Sequence, residues 1–124
     1  MLHPLETIKL FQKHDESPKK FAAGEVIFDV GERGEVMYGV IEGEVEMYVH
    51  EKLIETIQPG DVFGEGALVH LDHKRTSTAV AKTDCILAFL NQERFLFAVE
   101  NTPVFALEVM RSYSDRFRRL KELS

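Results

Sequence analysis

The chain has 124 residues, of which 44% are hydrophobic and 29% charged, as expected for one domain with a single core. Its net charge of −6 argues against nonspecific binding to nucleic acid or acidic lipid, and no apolar run is long enough to cross a membrane. The single cysteine, Cys85, excludes an internal disulfide, and the N-terminus lacks the pattern of a signal peptide, so we expect a cytoplasmic protein.

A short helix followed by a series of strands is predicted for the first three quarters of the chain. Residues 1 to about 13 form an amphipathic helix, because apolar residues recur there at near-helical spacing: Leu2, Leu5, Ile8, Leu10 and Phe11. From 21 to 91, short β-branched or aromatic runs alternate with glycines. The predicted strands are 25–28, 36–41, 45–49, 53–57, 76–81 and 85–90. This pattern predicts a mainly β fold, an antiparallel β-barrel or jelly roll (a double-stranded β-helix).

Two helices are predicted after the barrel. Asn91 can cap the first, from Gln92 to about Glu100, and Thr102-Pro103 favours a second, long helix to Leu123, with Thr102 as N-cap. An apolar stripe with a 4-3-4-3 spacing follows this long helix: Ala106, Met110, Tyr113, Phe117 and Leu120. The stripe is either a lid that packs on the barrel or a dimer seam. Residues 1–124 are thus predicted to form one domain, with the barrel at about 21–91 and the C-terminal helices at about 92–123.

The end of the long helix is basic. Five basic residues lie in the last fourteen positions: Arg111, Arg116, Arg118, Arg119 and Lys121. Because the whole chain is acidic, we interpret them as a solvated helix face that complements the helix C-terminus, and not as a site for a polyanion.

Residues 61–80 carry the clearest chemistry. Gly64 allows an unusual backbone angle or a close ligand approach, and residues 66–69 can form a helical turn with free N–H groups. Arg75 follows ten residues after Glu65, and a guanidinium beside a helix N-terminus makes a phosphate clamp. Glu65 would repel a phosphate, but it suits a ligand that also offers a hydroxyl donor, such as a ribose 2′-OH.

This segment resembles the phosphate-binding cassette of the cyclic nucleotide-binding domain family, which includes bacterial catabolite activators and the regulatory subunits of cAMP-dependent kinase. The cassette pattern is matched by Phe63, Gly64, Glu65, Ala67, Leu68, Arg75, Thr76 and Ser77. The first half of that fold is similar at Phe21, Gly24, Ile27, Gly31, Gly34, Tyr38, Ile41, Gly43 and Val45. The similarity covers about residues 7 to 120.

The resemblance implies a role for each cassette residue. Glu65 takes the ribose hydroxyl, while the Arg75 side chain and the N–H groups of residues 66 and 67 hold the cyclic phosphate. Thr76 and Ser77 border the phosphate and the base. The family usually has a larger apolar residue at Gly66, so we expect a more mobile empty site. The expected ligand-binding set is therefore Gly64, Glu65, Gly66, Ala67, Arg75, Thr76 and Ser77.

The choice between cAMP and cGMP depends on groups at the base edge. Thr76 resembles the pattern of cGMP-responsive members, but Ser or Thr also occurs there in bacterial cAMP binders. The adenine contacts of those binders come from the end of the long helix, where this chain offers only Ser124. We expect selectivity within about tenfold to a hundredfold, with cAMP favoured on family grounds.

Two other classes of function are considered. The same fold could carry a degenerate pocket and serve as a protein-interaction domain, and Arg75 could then pair with Asp72 or Glu65. A cupin-like metal enzyme is suggested by three histidines, but the paired histidine and glutamate spacing of that class is absent. Cys85 fits a buried small residue better than a nucleophile, and no catalytic set is found. The histidines concerned are His50, His70 and His73.

The sequence therefore favours a sensor without enzymatic activity, metal or cofactor. No room remains after the long helix for a helix-turn-helix, so we expect no DNA binding, and we expect no membrane partner. Its output would reach an unidentified protein partner, or a homodimer formed through the C-terminal helix. The expected mechanism is a population shift in which the ligand orders the cassette and that helix repacks over the base.

Overall fold

Eight strands and four helices make up the part of the chain that the computed structural model describes, residues 4–12 and 16–122. The described part leaves out residues 1–3, 13–15 and 123–124. The predictions made for Leu2, Leu123 and Ser124 therefore lie outside the described residues. The strands are β1 (Lys19–Phe21), β2 (Val26–Phe28), β3 (Val36–Glu42), β4 (Val45–Val49), β5 (Lys52–Ile57), β6 (Val62–Phe63), β7 (Thr78–Ala81) and β8 (Cys85–Asn91). The helices are α1 (Pro4–Phe11), α2 (Gly66–Val69), α3 (Gln92–Asn101) and α4 (Val104–Glu122).

The strands form two antiparallel sheets around one core. Their orders are β1-β8-β3-β6 and β2-β7-β4-β5. Side chains from both sheets meet between them, and Val40, Val45, Phe63 and Leu87 are fully buried there. The predicted antiparallel jelly roll, with a short N-terminal and a long C-terminal helix, is confirmed.

Helices α1, α3 and α4 cover the outer side of the first sheet. Ile8, Met37, Leu90 and Phe105 form a second buried cluster between the helices and the sheet. The carboxylate of Glu108, which is fully buried in α4, accepts a hydrogen bond from the Thr7 hydroxyl of α1 at 3.2 Å. These contacts fix the N-terminal half of α4 against the barrel.

The C-terminal half of α4 is bonded to the chain just before the cassette. The Val62 N–H donates to the Ser112 hydroxyl at 3.3 Å, and the Val62 carbonyl accepts from Arg116 at 2.8 Å. Arg119 pairs with Asp61 at 2.6 Å. The helix therefore contacts the strand that leads directly into residues 64–67.

The helix face that meets the barrel is not the predicted apolar stripe. It consists of Phe105, Glu108, Val109, Ser112 and Arg116, all buried. Within the stripe, the exposed fractions are 65% for Met110, 53% for Tyr113 and 57% for Phe117, so these side chains stay largely exposed, although Tyr113 borders a cavity beside the barrel. The prediction of a fully solvated basic face is wrong for Arg116, which is 6% exposed, because this guanidinium meets carboxylates and a carbonyl inside the protein.

Element boundaries differ from the prediction where the chain meets the cassette and the helices. Strand β7 begins at Thr78 and not at residue 76, because the backbone bends at residues 76 and 77. Helix α4 begins at Val104, just after the predicted start, whereas the cap on α3 is confirmed: the Asn91 side chain accepts from the Arg94 N–H at 2.8 Å. Strands β1 and β6 were not predicted, since three and two residues are too short to show alternation.

None of the helices in the described ranges combines the length and the apolar character needed to cross a bilayer.

Candidate functional site

One cavity, of about 130 Å³, brings the cassette together with the second sheet and α4. It is lined by every residue of the predicted ligand-binding set: Gly64, Glu65, Gly66, Ala67, Arg75, Thr76 and Ser77. Four further lining residues are apolar or aromatic: Phe28, Met47, Val49 and Ile54. The remaining lining residues are Glu55, Tyr113 and Arg116. A wider groove of about 370 Å³ between β5 and α4 contains none of the predicted residues. We therefore assign the candidate site to the smaller cavity.

The cassette backbone turns sharply before the short helix α2. Gly64 has a φ of +81°, a left-handed conformation that favours glycine, and a Cβ there would lie 2.9 Å from the Arg75 Nη1 atom. The Glu65 carbonyl accepts from the Leu68 N–H at 2.9 Å and so starts the helical turn. The N–H groups of Gly66 and Ala67, in the first turn, have no intrahelical acceptor by position. They are therefore available to an anion.

Arg75 is held in the cavity wall by backbone carbonyls. Its Nη1 donates to the Gly64 carbonyl and its Nη2 to the Val36 carbonyl, both at 2.6 Å. The guanidinium lies 4.1 Å from the centroid of the Phe28 ring and is 6% exposed. It bonds these carbonyls and not Asp72 or Glu65, the partners of the alternative interpretation. Burial lowers its pKa, but an arginine keeps its charge, and five N–H donors leave some for a ligand.

Gly34 leaves the space that the Arg75 side chain occupies on the other side. A Cβ at this position would lie 2.5 Å from the Arg75 Nε atom and 2.5 Å from the Ala67 Cβ. Any larger residue would therefore push on both the guanidinium and the first turn of α2. The sequence showed Gly34 as part of the glycine pattern, and the structure gives it a place behind the site.

The Glu65 carboxylate is buried without a hydrogen bond from another side chain. It is 5% exposed, and within residues 4–12 and 16–122 neither of its carboxylate oxygens has a hydrogen-bond partner. The nearest cation is the Nη1 atom of Arg116, 3.9 Å from its Oε1 atom. Burial raises the pKa of Glu65, which the charge of Arg116 and the backbone N–H of Glu65 itself only partly oppose. A carboxyl group that no other side chain bonds therefore lies in the cavity lining.

Arg116 and Glu55 line the cavity, and the sequence analysis did not place them in the site. The Arg116 Nε donates to the Glu55 carboxylate at 2.7 Å, between α4 and β5. Burial alone would lower the pKa of Arg116. The hydrogen bond to Glu55 and the negative charges of Glu55 and Glu65 outweigh the effect of burial, so the pKa of Arg116 is raised. The available signal was position: Arg116 continues the helical spacing of Phe105, Val109 and Ser112, where a cation is unexpected.

The histidines do not assemble a metal site. In the described part of the chain, no three side chains of His, Cys, Asp or Glu lie close enough to hold an ion. His73 instead bonds the Ala67 carbonyl through Nδ1 at 2.9 Å, which supports the end of the cassette. Cys85 is 2% exposed, and its prediction as a buried small residue is confirmed.

Comparisons with known proteins identify relatives of this architecture. A family model described as the cyclic nucleotide-binding domain matches residues 18–102. The cAMP-dependent protein kinase regulatory subunit of Eremothecium gossypii is 36% identical over 77 residues, which are 62% of this chain and 17% of that relative. The chain therefore spans less than a fifth of that curated protein.

Two solved structures share the fold over almost the whole chain. One, from work on a cyclic-GMP-dependent signalling pathway that regulates bacterial phytopathogenesis, has a TM-score of 0.77 and 26% identity, covering 96% of this chain and 94% of its own. The catabolite activator protein of Thermus thermophilus has a TM-score of 0.75 and 24% identity, covering 98% of this chain and 57% of its own. At 24% identity, the similarity to the Thermus thermophilus protein shows a shared fold and nothing more.

The burial of Glu65 predicts a pH-dependent cost to stability in the ligand-free chain. A carboxyl group whose pKa is raised by folding loses its favourable contribution as the pH rises from about 4.5 through the raised value. Glu65→Gln removes this titration, so we expect it to raise the free energy of unfolding at pH 8 by about 1–3 kcal/mol, with a smaller effect at pH 5. Urea unfolding of both proteins at the two pH values measures this.

The matched control is Glu42→Gln, an exposed carboxylate at the end of β3. It should leave the stability within about 0.5 kcal/mol of wild type at both pH values. Equal stability of Glu65→Gln and wild type at pH 8 would contradict the interpretation of Glu65 as an unpaired buried charge.

Proposed function

Because this chain belongs to the cyclic nucleotide-binding domain family, we propose that it binds a cyclic nucleotide in the cavity beside α4 and acts as a regulatory module. The observation that carries the proposal is the convergence of Arg75, Glu65 and the first turn of α2 on one cavity. Domains of this family are typically non-catalytic, and we propose no reaction for this one.

The cyclic phosphate would bind between Arg75 and α2. The two carbonyls that hold Arg75 orient its guanidinium in advance, so little side-chain entropy is lost on binding. The N–H groups of Gly66 and Ala67 supply further donors beside this positive charge. A phosphate placed there would be recognised by both charge and geometry.

The ribose and the base would occupy the remaining walls. Glu65 lacks a hydrogen-bond partner in the described structure, so a ribose hydroxyl that donates to it would satisfy a buried acceptor. Met47, Val49 and Ile54 form an apolar wall, and Tyr113 of α4 stands opposite with about half of its surface exposed. An aromatic base suits such surroundings.

We propose that ligand binding widens the site. The cavity of about 130 Å³ is smaller than the roughly 300–1,000 Å³ of most small-molecule pockets. Of its walls, Tyr113 and Arg116 belong to α4, which contacts the barrel through side chains along one face. We therefore propose that the ligand favours a state in which α4 is displaced, and that this displacement is the output.

The phosphate clamp is tested by calorimetric titration with cAMP and cGMP. Arg75→Ala should weaken binding by about 2–4 kcal/mol, because a buried phosphate loses its counter-charge. Glu65→Gln should cost less. Lys74→Ala, an exposed neighbour, should bind like wild type. Wild-type affinity in Arg75→Ala would refute the clamp, and failure of wild type to bind either nucleotide would refute the proposed function.

For selectivity, we propose that cAMP binds more tightly than cGMP, within about tenfold to a hundredfold. One relative is a regulatory subunit of a cAMP-dependent kinase, and one similar structure comes from work on a cyclic-GMP-dependent pathway. Both nucleotides are therefore candidates. Thr76 is exposed at the cavity edge, where one hydroxyl contributes only about 0.5–1.5 kcal/mol. Competition titrations of wild type and Thr76→Ala measure the difference, and a wild-type preference far above a hundredfold would show that another residue reads the base.

For assembly, we propose a homodimer through the exposed stripe of α4. Met110, Tyr113 and Phe117 lie in one line along the helix and are each more than half exposed. Light scattering at micromolar concentration should give the mass of two chains for wild type and of one chain for Phe117→Glu. Leu96→Glu, which changes an equally exposed apolar residue of α3, should remain dimeric. A wild-type monomer at high concentration contradicts the dimer.

A further inference from the structure

We propose that His73 is a positioning residue for the phosphate side of the site: its ring holds the carbonyl end of the short helix α2 and so orders the backbone that would meet the phosphate. Its effect on binding rests on the proposed function, whereas its effect on the ligand-free chain can be measured separately. His73 lies outside the predicted ligand-binding set and is not among the residues that line the cavity.

Helix α2 depends on the rest of the fold for its order. It has only four residues, Gly66–Val69, and it begins with glycine, which is a poor helix former. The last four carbonyls of any helix have no intrahelical donor, and isolated short helices are marginal in water. A segment this short therefore needs donors from outside itself.

Two side chains supply these donors. The carbonyls of residues 65 and 66 accept N–H groups of the same turn, each at 2.9 Å. The next two carbonyls are reached from elsewhere: Nδ1 of His73 bonds the Ala67 carbonyl at 2.9 Å, and the Gln92 amide donates to the Leu68 carbonyl at 3.4 Å. Because a carbonyl oxygen only accepts, the Nδ1 atom of His73 must carry a proton.

The backbone of His73 is fixed beside the phosphate clamp. Its φ of +55° is uncommon for a residue with a side chain, and its carbonyl accepts from the Gly34 N–H at 2.7 Å. Two residues later, the Arg75 N–H donates to the Glu32 carbonyl at 2.8 Å. The ring of His73 thus connects α2 to the segment that carries the guanidinium, and this connection holds the two halves of the clamp at a constant separation.

These bonds oppose the mobility that the sequence predicts from Gly66. A donor on the Ala67 carbonyl restrains the same helical turn from its other end. The Gln92 bond is longer, at 3.4 Å, so we expect His73 to have the larger effect. A turn that is ordered before the ligand arrives loses less backbone entropy when a phosphate binds.

Amide hydrogen exchange of the ligand-free full chain tests the support of α2. His73→Gly removes the ring, while glycine adopts the φ of +55° without strain. Exchange at the N–H groups of residues 68–70 should become at least tenfold faster, whereas that of Val40 in the core should change less than twofold. In His73→Asn, whose amide can donate and which tolerates this φ, exchange should stay within threefold of wild type.

Calorimetric titration with cAMP, or with cGMP if cGMP binds more tightly, tests the effect on binding. His73→Gly should weaken binding at least fivefold, and His73→Asn should restore it to within twofold of wild type. The matched control is His50→Gly, which replaces another histidine with a left-handed backbone, at a φ of +51° in the exposed turn after β4. This control should bind within twofold of wild type and leave exchange at residues 68–70 unchanged.

A measurement on wild type needs no variant. The nitrogen-15 resonances of the His73 ring should show a proton on Nδ1 in the ligand-free chain. A ring protonated on Nε2 alone overturns the inference, even if His73→Gly fails to fold.

The outcomes separate this inference from the proposed function. If wild type binds neither nucleotide, the proposed function is overturned, and with it the role of His73 in binding. If wild type binds and His73→Gly binds equally well, this inference alone fails. It also fails if residues 68–70 exchange no faster in His73→Gly, or if Val40 accelerates as much as they do, because His73 would then have a general structural role.

Discussion

The structure depends on the way in which buried charges are satisfied around one small cavity. Removing a charged group from water is costly unless hydrogen bonds or an opposite charge replace the lost hydration. Arg75 is satisfied by two backbone carbonyls, and Arg116 by Glu55 and a third carbonyl. Glu65 lacks such a partner among the described residues, with Arg116 too distant for a hydrogen bond. The cavity therefore retains one carboxylate that no other side chain bonds, and under the proposed function a ligand hydroxyl would supply that hydrogen bond.

The connection between this acceptor and α4 is short. Asp61 and Val62 hold the C-terminal half of the helix through Arg119, Ser112 and Arg116, and Glu65 follows three residues after Val62. The cassette and the helix are therefore joined through a single bonded segment, without a path across the core. At the other end of the helix, the buried pair of Thr7 and Glu108 holds it to α1. The helix thus has one end fixed near the N-terminal helix and the other in contact with the site.

Sequence reasoning found the parts of the site that are close together in the chain. Gly64, Glu65 and Arg75 lie within twelve residues, so the cassette pattern, together with the glycine pattern before it, could predict a phosphate clamp with a hydroxyl acceptor. The pair of Glu55 and Arg116 is separated by 61 residues, and only the folded barrel brings them within 2.7 Å. The apolar stripe with Tyr113 was visible, but periodicity does not reveal which flank of a helix meets the core. The start of β7 was predicted two residues too early. The composition of residues 76 and 77 favours a strand, but the backbone bends there.

Under the proposed displacement of α4, the contacts of that helix also set a limit on affinity. A ligand would have to offset the contacts that the displacement removes, and its apparent dissociation constant would rise as the displaced state is less populated. Ser112, Arg116 and Arg119 each bond the helix to the chain before the cassette, so these bonds would reduce the population that can bind. The buried carboxyl of Glu65 would act in the opposite direction, since no other side chain donates a hydrogen bond to it. Under this proposal, the balance between these two sets of groups sets the ligand concentration at which the domain responds.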